Sequence, residues 1–372
     1  MISKLLEKKI VEVDKKFENW DEKMVNIPIY SPKNHVEDLT NSNYYHLISI
    51  LRHFVKLVSD DYFGNKLGGY NIDLYMLTPS ISSPLGPGSD SEGIQIKFGN
   101  LTTNLVDSSQ FGFEPLLLNG FDLLYCYLPS MRGETPNKRH LNQFYHCEAE
   151  IKGTLNDLIP VVEGYIKFLA ELLLLQKNVV RRLSRNYKKT HAHINTILSL
   201  PAFPRITFDE AINVLELNNC KHMVNYTHLG NDITPEGELK LAELLDFNCP
   251  FWITEFDRDR VPFYQKPLPN NEDKVLNADL IFPAIIKGSF GGEIVGCGQR
   301  QDSVDEMYKS LKRQGVDPDN YGWYINLRNM PSYSSTSGFG IGIERFIAWA
   351  LAIDDIKKVI LYPRLKNIKT FP

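Results

Sequence analysis

The stretch Ser337-Gly338-Phe339-Gly340-Ile341-Gly342-Ile343-Glu344-Arg345-Phe346 carries the most informative local pattern of this 372-residue chain. Its three glycines recur with period two, so on an extended strand they would lie on one face and leave it without side chains. Arg345 follows at the start of an apolar run, residues 346–353, that predicts a buried helix. The pattern favours a bare strand for a flat ligand, with a guanidinium beside it for a phosphate or a ring, and a purely structural glycine-rich strand is the alternative. Neither the phosphate-loop pattern nor the dinucleotide fingerprint is present.

The composition excludes several classes of protein. A formal net charge of −4 excludes a strongly basic, nucleic-acid-coating chain. The five cysteines are scattered without a Cys-x-x-Cys pair, so we expect ordinary thiols and neither structural zinc nor a disulfide framework. The first 20 residues lack the apolar core of a signal peptide, and the most apolar window, residues 165–176, is too short to cross a bilayer. We therefore expect a cytoplasmic protein that does not enter a membrane.

Short strand-like runs and helical segments share the chain. Residues 1–20 predict an amphipathic helix, residues 44–59 a second helix, and residues 155–185 one long helix followed by further basic residues to Lys189. We expect the basic run from Arg181 to Lys189 to be a solvated helix end, with nucleic-acid contact as the alternative. Strands are predicted at residues 72–77, 123–128, 144–151, 251–254, 278–282, 293–297, 323–327 and 338–343. The mixture predicts an α+β domain built on a largely antiparallel β-sheet flanked by helices.

A second segment, residues 131–144, has side chains suited to holding a nucleotide. Arg132 could bind an α-phosphate, Glu134 could accept a hydrogen bond from the adenine amine, and Phe144 could stack on the base. Taken alone, an Arg-x-Glu sequence is usually a surface ion pair.

These two segments together resemble conserved motifs of the class II aminoacyl-tRNA synthetases. The sequence Arg132-Gly133-Glu134, with Arg139-His140-Leu141 and Phe144 after it, is similar to motif 2 of that family, and the glycine strand with Glu344-Arg345 is similar to motif 3. Residues 293–300, 323–328 and 359–364 resemble the aspartyl/asparaginyl group in particular, and the asparaginyl enzymes most closely. The resemblance implies a class II synthetase-like catalytic domain over residues 43–372, after an N-terminal helix and polar extension over residues 1–42.

The resemblance implies an ATP site and a magnesium site. Arg132 and Arg345 would be the catalytic cations that bind the triphosphate. The other nucleotide contacts that it implies are Glu134, His140, Phe144, Gly338, Gly340 and Gly342. Asp279 and Glu293 lie where the family places its magnesium-binding carboxylates, and Mg²⁺ commonly uses one or two carboxylates besides phosphate and water. Two strand-borne acids in ordinary ion pairs are the alternative.

The resemblance also implies which amino acid is bound. Glu92 matches the residue that holds the substrate α-amino group, and Gln110 matches a second contact. Phe113 stands where the aspartyl enzymes have a lysine for the side-chain carboxylate. Glu114 instead matches the acid that accepts from an asparagine amide, and Arg328 matches the arginine that meets its carbonyl oxygen. Because a carboxylate repels aspartate but accepts a hydrogen bond from an amide, this set favours asparagine or a similar amide.

The chain also departs from the family. Only about 40 residues precede the resemblance, too few for the five-stranded anticodon-binding barrel, so we expect tRNA charging to be doubtful. Gln143 replaces an acid in motif 2, and Ser335-Thr336 replaces the Pro-His before motif 3, which leaves the ATP residues intact but changes the acceptor side. The Gly-, Pro- and Ser-rich residues 82–91 predict a mobile loop, either a lid over the amino acid or filler.

The resulting prediction is an ATP- and Mg²⁺-dependent enzyme that adenylates asparagine or a similar amide, releases pyrophosphate, and transfers the acyl group to a non-tRNA acceptor. One alternative adenylates a side chain, giving asparagine from aspartate and ammonia or a nitrile from an amide. Others are tRNA charging with help from a partner and a non-catalytic binding module. By resemblance, a homodimer is expected, with Pro79 as the motif 1 proline at its interface.

Overall fold

A large central sheet organises the protein, whose computed structural model describes residues 1–20, 24–84 and 91–371. In chain order the strands of these residues are β1 Tyr70–Asn71, β2 Leu77–Thr78, β3 Gln95–Phe98, β4 Leu101–Leu105, β5 Leu123–Met131, β6 Gln143–Lys152, β7 Arg205–Thr207, β8 Val224–Thr227, β9 Gly230–Ile233, β10 Phe251–Thr254, β11 Pro267–Leu268, β12 Asn271–Val275, β13 Asn277–Phe282, β14 Gly292–Gln299 and β15 Thr336–Gly342.

Helices cover and flank this sheet. In chain order they are α1 Lys4–Lys15, α2 His35–Asn41, α3 Asn43–Asp60, α4 Phe113–Leu118, α5 Leu155–Leu175, α6 Lys177–Leu183, α7 Tyr187–Ser199, α8 Phe208–Leu217, α9 Pro235–Leu244, α10 Val304–Gln314, α11 Gly322–Asn326 and α12 Ile343–Ala350. A π-helical turn, Asp61–Lys66, extends α3. Among the described residues, no helix is long and apolar enough to span a membrane.

The central sheet has eight strands in the order β1-β5-β6-β15-β14-β13-β10-β7. Every neighbouring pair is antiparallel except the two outer pairs, β1 with β5 and β10 with β7. Three smaller sheets, β2-β4-β3, β8-β9 and β11-β12, lie outside it. This confirms the predicted α+β fold with a largely antiparallel sheet, and most predicted strands lie within one or two residues of an observed one.

The glycine strand, β15, lies at the middle of the sheet between β6 and β14. Gly338 pairs with Glu150 on one side and Gly298 on the other, and Gly340 pairs with Glu148 on the β6 side. A Cβ on Gly338 would overlap the side chains of Glu150 and Arg300. The absent side chain at Gly338 therefore makes room for a neighbouring ion pair, and a flat ligand on this strand stays a prediction.

One large hydrophobic core includes the N-terminal segment. Ile2, Ile10 and Phe17 are buried in the same apolar cluster as α3, α5 and α12. The carboxylate of Asp14 accepts hydrogen bonds from the backbone N–H groups of Asn178 and Val179 at the start of α6, with N···O distances of 2.9 and 3.0 Å. The boundary at residues 42 and 43 stays a prediction, but residues on both sides of it pack in one core.

The structure corrects the prediction of one long helix over residues 155–185. The helix is interrupted at Gln176, whose backbone has φ −93° and ψ 38°, and continues as the separate helix α6. Asp14 supplies the acceptor that satisfies the new helix start, which compensates for the interruption. The basic run is also not entirely solvated, because Arg182 is buried and donates to the carbonyl oxygens of Asn178 and Trp20.

Two predicted strands are wrong. Residues 323–327 form α11 and part of the following 3₁₀ turn, with Tyr324 and Leu327 on the buried side and Trp323 exposed. A short apolar run of this kind does not distinguish a strand from a buried helix. Residues 72–77 are mostly irregular, because the chain leaves β5 after Ile72 and pairs again only at Leu77 with β4.

Candidate functional site

Two adjoining cavities open on the central sheet. The first has a volume of about 190 Å³ and the second of about 350 Å³. Four residues line both cavities: Arg132, His146, Glu293 and Gly340. The first cavity contains most of the residues predicted to bind ATP and is called the nucleotide cavity below. The second contains Gln110 and is called the amino-acid cavity.

The nucleotide cavity brings together both motif segments. Its lining includes Arg132, Glu134, His140, Phe144, Gly340, Gly342 and Arg345, so seven of the eight predicted ATP-binding residues meet there; Gly338 lines the amino-acid cavity instead. The guanidinium of Arg132 lies 5.4 Å from the ring centroid of Phe144, and the ring of His146 meets Phe144 edge-on at 4.7 Å. Phe144 is therefore an aromatic surface already backed by a cation, as a base-stacking position requires.

Arg345 is held on the wall of this cavity by two partners. Its Nη1 donates to Oε2 of Glu293 at 2.9 Å, and its Nη2 donates to Nε2 of His140 at 3.2 Å. Burial and the nearby Arg345 and Arg132 cations lower the pKa of His140 to about 4. His140 is therefore neutral at neutral pH, with Nε2 as an acceptor and its other nitrogen beside Asn137. The pairing fixes the direction of the Arg345 guanidinium.

A third cation, Arg139, lines the nucleotide cavity and was not singled out as a ligand from the sequence. It donates to the carbonyl oxygen of Gly291, lies 3.6 Å from Glu238, and stacks over Phe290 at 4.8 Å. Burial raises the pKa of Glu238 to about 7, although Arg139 opposes that shift. The sequence could have indicated Arg139 as a site residue, because it precedes His140 directly in the motif 2 segment.

The two predicted magnesium ligands lie on adjacent strands, Asp279 on β13 and Glu293 on β14. A Cβ placed on Gly296 would be 3.4 Å from Oδ1 of Asp279 and 3.7 Å from Oε1 of Glu293, so both carboxylates face the same space. Burial, followed by the negative charges of Glu293 and Glu238, raises the pKa of Asp279 well above its usual value. Two oxygen ligands whose mutual repulsion a cation would relieve are a donor set that fits Mg²⁺.

The amino-acid cavity contains a buried acid that the sequence interpretation missed. Glu148 of β6 lines it beside Gln110, accepts hydrogen bonds from Oγ of Ser108 at 2.5 Å and from the backbone N–H of Ser109 at 2.8 Å, and also contacts Oγ of Ser109. Burial raises its pKa above the usual value. The side-chain Nε2 of Gln110 is buried in the same cavity, close to the hydroxyl of Tyr264. An acceptor and a donor thus lie in one cavity.

His146 connects the two cavities in its neutral form. Its Nδ1 lies 2.8 Å from the hydroxyl of Ser130 and 3.3 Å from Oε1 of Glu148. Burial and the Arg132 and Arg345 cations lower the pKa of His146 to about 3. The contact with Glu148 is therefore a polar contact of a neutral ring and not an ion pair.

A buried ion pair forms one wall of the amino-acid cavity. Nε and Nη2 of Arg300 donate to the two carboxylate oxygens of Glu150 at 2.8 and 2.7 Å, and Thr336 donates to the same carboxylate. Neither residue was predicted as a ligand. The period-two spacing of Glu148 and Glu150 on a predicted buried strand was the available signal, because buried acids usually have a specific partner.

Glu114 and Arg328, predicted to read the substrate amide, lie beneath this wall. They form a buried ion pair, with 2.8 Å between Glu114 Oε2 and Arg328 Nη2, and the hydroxyl of Tyr324 also donates to Glu114. Neither is among the residues that line the two cavities, whereas Phe113 lines the amino-acid cavity. Their predicted contact with substrate therefore stays a prediction.

Glu92 lies farther away, in a third cavity of about 630 Å³ that contains residues of the C-terminal segment. Its carboxylate pairs with Nζ of Lys366 at 2.9 Å, and its carbonyl accepts from the backbone N–H of Gly133 at 2.6 Å. The structure thus places Glu92 beside motif 2 but not in the amino-acid cavity. The predicted lid, residues 82–91, lies mostly outside the described residues; Ser82, Ser83 and Ser91 line the amino-acid cavity.

Comparison with known proteins supports the resemblance found in the motifs. Two curated asparagine–tRNA ligases, from Pyrococcus abyssi and Thermococcus gammatolerans, are each 32% identical to this chain, over 272 and 274 residues. The matched regions cover 73% of this chain but 58% and 59% of those ligases. The chain therefore spans less than two thirds of the length of the curated relatives it matches.

Solved structures show the same relationship. The asparaginyl-tRNA synthetase of Pyrococcus horikoshii complexed with asparaginyl-adenylate superposes with a TM-score of 0.79 at 26% identity, covering 92% of this chain and 74% of that one. An Entamoeba histolytica asparaginyl-tRNA synthetase in complex with asparaginyl-adenylate gives a TM-score of 0.76 at 23% identity, covering 94% and 74%, and supports the fold alone. These comparisons confirm the predicted class II catalytic fold.

A family model described as tRNA synthetases class II (D, K and N) matches residues 34–366. The match includes both motif segments and every residue that lines the nucleotide cavity. It also extends across the predicted boundary between residues 42 and 43. The chain therefore belongs to the class II tRNA synthetases of the D, K and N group.

Proposed function

We propose that this protein adenylates asparagine or an asparagine-like amide with ATP and Mg²⁺, releases pyrophosphate, and passes the acyl group to an amine that is not a tRNA. The observation that carries the proposal is that Arg132 lines both the nucleotide cavity and the amino-acid cavity. A carboxylate in one cavity and an α-phosphate in the other would then share one cation at the place where the new bond forms.

In the first step, a carboxylate oxygen of the substrate attacks the α-phosphorus of ATP, and the bond from that phosphorus to the pyrophosphate oxygen breaks. Arg132 and Arg345 stabilise the negative charge that develops on the phosphate oxygens. Neutral His146 adds a hydrogen-bonding group without an additional positive charge beside Arg132. No side chain becomes covalently attached, so positioning and electrostatics supply the catalysis.

In the second step, the acceptor nitrogen attacks the acyl carbon of the adenylate. The carbon–oxygen bond to AMP breaks, and the nitrogen loses a proton to solvent. Asp279 and Glu293 would hold Mg²⁺, which when bound neutralises phosphate charge. Arg345 donates to Glu293 at 2.9 Å, so one of the two carboxylates that would hold the ion also orients this guanidinium.

The amino-acid cavity supports a substrate with an ammonium group and a polar side chain. Glu148 is an acceptor for an ammonium group, and Nε2 of Gln110 is a donor for a carbonyl or carboxylate oxygen. At the position where the aspartyl enzymes have a lysine, Phe113 supplies no cation for an aspartate side chain, and Arg300 is already neutralised by Glu150. The related P. horikoshii enzyme, whose structure contains asparaginyl-adenylate, is consistent with an amide substrate.

The non-tRNA acceptor is supported by the acceptor side of the two motifs, where Gln143 replaces an acid and Ser335-Thr336 replaces a Pro-His pair. We propose homodimerisation through the face around the exposed Pro79, where Met76 and Trp323 are exposed as well.

The decisive experiment is substrate-dependent exchange of labelled pyrophosphate into ATP, with and without Mg²⁺, for asparagine, aspartate and asparagine-containing peptides. We expect Mg²⁺-dependent exchange with asparagine, or with a peptide amide, that exceeds exchange with aspartate. Exchange with aspartate alone would overturn the amide assignment and favour side-chain adenylation with ammonia as the acceptor. A product mass that is one water lower than the amide, formed without a second reactant, would instead identify nitrile formation.

A parallel assay separates the acceptors. Purified protein is incubated with ATP, Mg²⁺ and labelled asparagine, and then with total tRNA or with a mixture of amino acids and amines. Label in amide products but not in acid-precipitable tRNA is expected. Charging of tRNA at a rate comparable to exchange would contradict the acceptor part of the proposal. Absence of exchange with all substrates would contradict the adenylation part.

A further inference from the structure

A cation on the wall of the amino-acid cavity has no role in the reaction described above. Arg260 follows β10 in the 3₁₀ turn Arg258–Arg260, and it lines the amino-acid cavity together with Asn277 and Asp279. Its Nε is buried and has no hydrogen-bond partner in the described residues. The carboxylate of Asp232 lies 3.9 Å from its Nη2 and is partly exposed, so this contact is a weak ion pair.

The position of Arg260 is fixed by the structure around it. The preceding Arg258 is buried and donates to Ser310 and Glu306, which anchors the turn to α10. On the other side, Gly230 has φ +120°, and a Cβ there would lie only 2.8 Å from Cγ of Arg260. Glycine tolerates the positive φ angle and leaves the space that a Cβ would fill. The hairpin β8–β9 can therefore pack closely against the aliphatic part of the Arg260 side chain.

Asn277 adds a second donor to the same cavity. Its Oδ1 accepts from the backbone N–H of Phe256 at 3.1 Å, which fixes the orientation of the amide. The residue lines the amino-acid cavity, as Arg260 does. A guanidinium and an amide N–H in one cavity form a set of donors that matches a carboxylate.

The proposed triphosphate site does not account for Arg260, because the cations proposed for the triphosphate line the other cavity. Arg132, Arg139 and Arg345 all line the nucleotide cavity, and Arg260 does not. The carboxylate that becomes adenylated must meet the α-phosphate near Arg132, which lines both cavities. Arg260 lies among the residues that line the amino-acid cavity alone, so it suits a different carboxylate.

We propose that Arg260 and Asn277 bind a second carboxylate, one that is not adenylated. This inference rests on the proposed adenylation and names a feature of its substrates. The second carboxylate has two possible sources: the acceptor, as the carboxylate of an amino acid or peptide whose amine is acylated, or the activated molecule itself, as in a dicarboxylic acid. Both sources provide the same chemistry, and kinetics distinguishes them.

The test uses the full chain and the variants Arg260→Gln, Arg260→Lys and Asp232→Asn. Pyrophosphate exchange with asparagine and with aspartate reports the activated molecule. Product formation with the twenty common amino acids, each compared with its carboxamide, reports the acceptor, and hydroxylamine provides an acceptor without a carboxylate. Arg313→Gln is the matched control, because Arg313 pairs with Asp259, next to Arg260, but lines neither cavity.

If the acceptor carries the carboxylate, wild-type protein prefers amino acids over their amides, and Arg260→Gln lowers that preference by about tenfold or more. Arg260→Lys retains part of the preference for amino acids over their amides. Asp232→Asn raises this preference, and Arg313→Gln does not change it. If the activated molecule carries the carboxylate, Arg260→Gln instead raises the KM for aspartate relative to asparagine in exchange by a similar factor.

Other outcomes overturn the inference. In one such outcome, the wild type forms adenylate, seen as exchange or hydroxamate, while neither assay shows a preference that depends on Arg260. That result would show that Arg260 binds no second carboxylate, and the adenylation proposal would stand. Failure of the wild type to form any adenylate would contradict the proposed function and this inference with it. A change of equal size in Arg313→Gln would show that the turn, and not the cation, was disturbed.

Discussion

Glu114 and Arg328 are paired with one another at 2.8 Å and are almost completely buried, although the sequence predicted both as substrate ligands. Arg328 also donates to the carbonyl oxygens of Gln301 and Tyr324. The pair therefore connects three elements beneath the amino-acid cavity: helix α4, helix α11 and the segment that follows strand β14. If one member of such a buried pair is removed, the other charge stays buried without a partner, which costs free energy of folding.

Removing one member of this pair should be more harmful than removing both. We expect Arg328→Met to lower the free energy of unfolding by about 3 kcal/mol, because Glu114 would remain buried without its cation. The double variant Arg328→Met, Glu114→Gln should recover a large part of that loss. Urea unfolding of the three proteins measures both values. A single variant as stable as the wild type would show that Glu114 has access to water or to another partner.

The glycines of β15 should differ sharply in their tolerance of alanine. A Cβ on Gly338 would overlap Glu150 and Arg300, whereas a Cβ on Gly342 would lie 3.3 Å or more from the flexible side chain of Arg345. We expect Gly338→Ala to destabilise the protein by about 1–3 kcal/mol and Gly342→Ala by less than about 1 kcal/mol. Thermal unfolding followed by circular dichroism compares them. Equal losses would contradict the specific role assigned to Gly338.

Much of the fold followed from local sequence. The short apolar runs of β5, β6 and β13 and the helical spacing of α3 are strong local signals, because these strands are largely buried and the helix buries one face. The break at Gln176 was not predictable in this way, since it depends on Asp14, more than 160 residues earlier in the chain. Residues 323–327 were mistaken for a strand because a five-residue apolar run has too few repeats to reveal its period.

The candidate site was predictable where motifs are contiguous and less so where strands meet. Arg132, Phe144 and Arg345 were found because each belongs to a local motif, and the structure brings them to one cavity. Glu148 and Arg300 were missed as site residues because their significance depends on strand pairing: β15 places its glycines opposite the acids of β6. Register across a sheet is set by contacts distant in sequence, so local pattern does not supply it.

Arg345 should be intolerant of conservative substitution. Its guanidinium donates to both Glu293 and His140, and lysine has neither the planar fork nor a second donor at that spacing. We expect Arg345→Lys to lower kcat/KM for ATP in pyrophosphate exchange by about 100-fold, a loss of roughly 2.7 kcal/mol of transition-state stabilisation. Arg313→Lys, on the surface, serves as the control. Exchange within threefold of wild type would remove Arg345 from the catalytic residues.

His146 should make the stability of the protein depend on pH. Its pKa is about 3 in the folded protein, against about 6.5 when unfolded, so the unfolded chain binds the additional proton as the pH falls. Stability from this residue is complete above pH 6.5 and is lost as the pH falls toward 3. Between pH 6.5 and pH 5 the loss should be about 2 kcal/mol.

The variant His146→Gln tests this cause directly. Glutamine keeps a hydrogen-bonding side chain beside Ser130 and Glu148 but does not titrate, so the difference in unfolding free energy between wild type and variant should shrink by about 2 kcal/mol from pH 7 to pH 5. His53, exposed on α3, offers a matched control, His53→Gln, whose difference from wild type should vary far less over that range. A constant difference for His146→Gln would mean that His146 is protonated in the folded protein, as an ion pair with Glu148 would require.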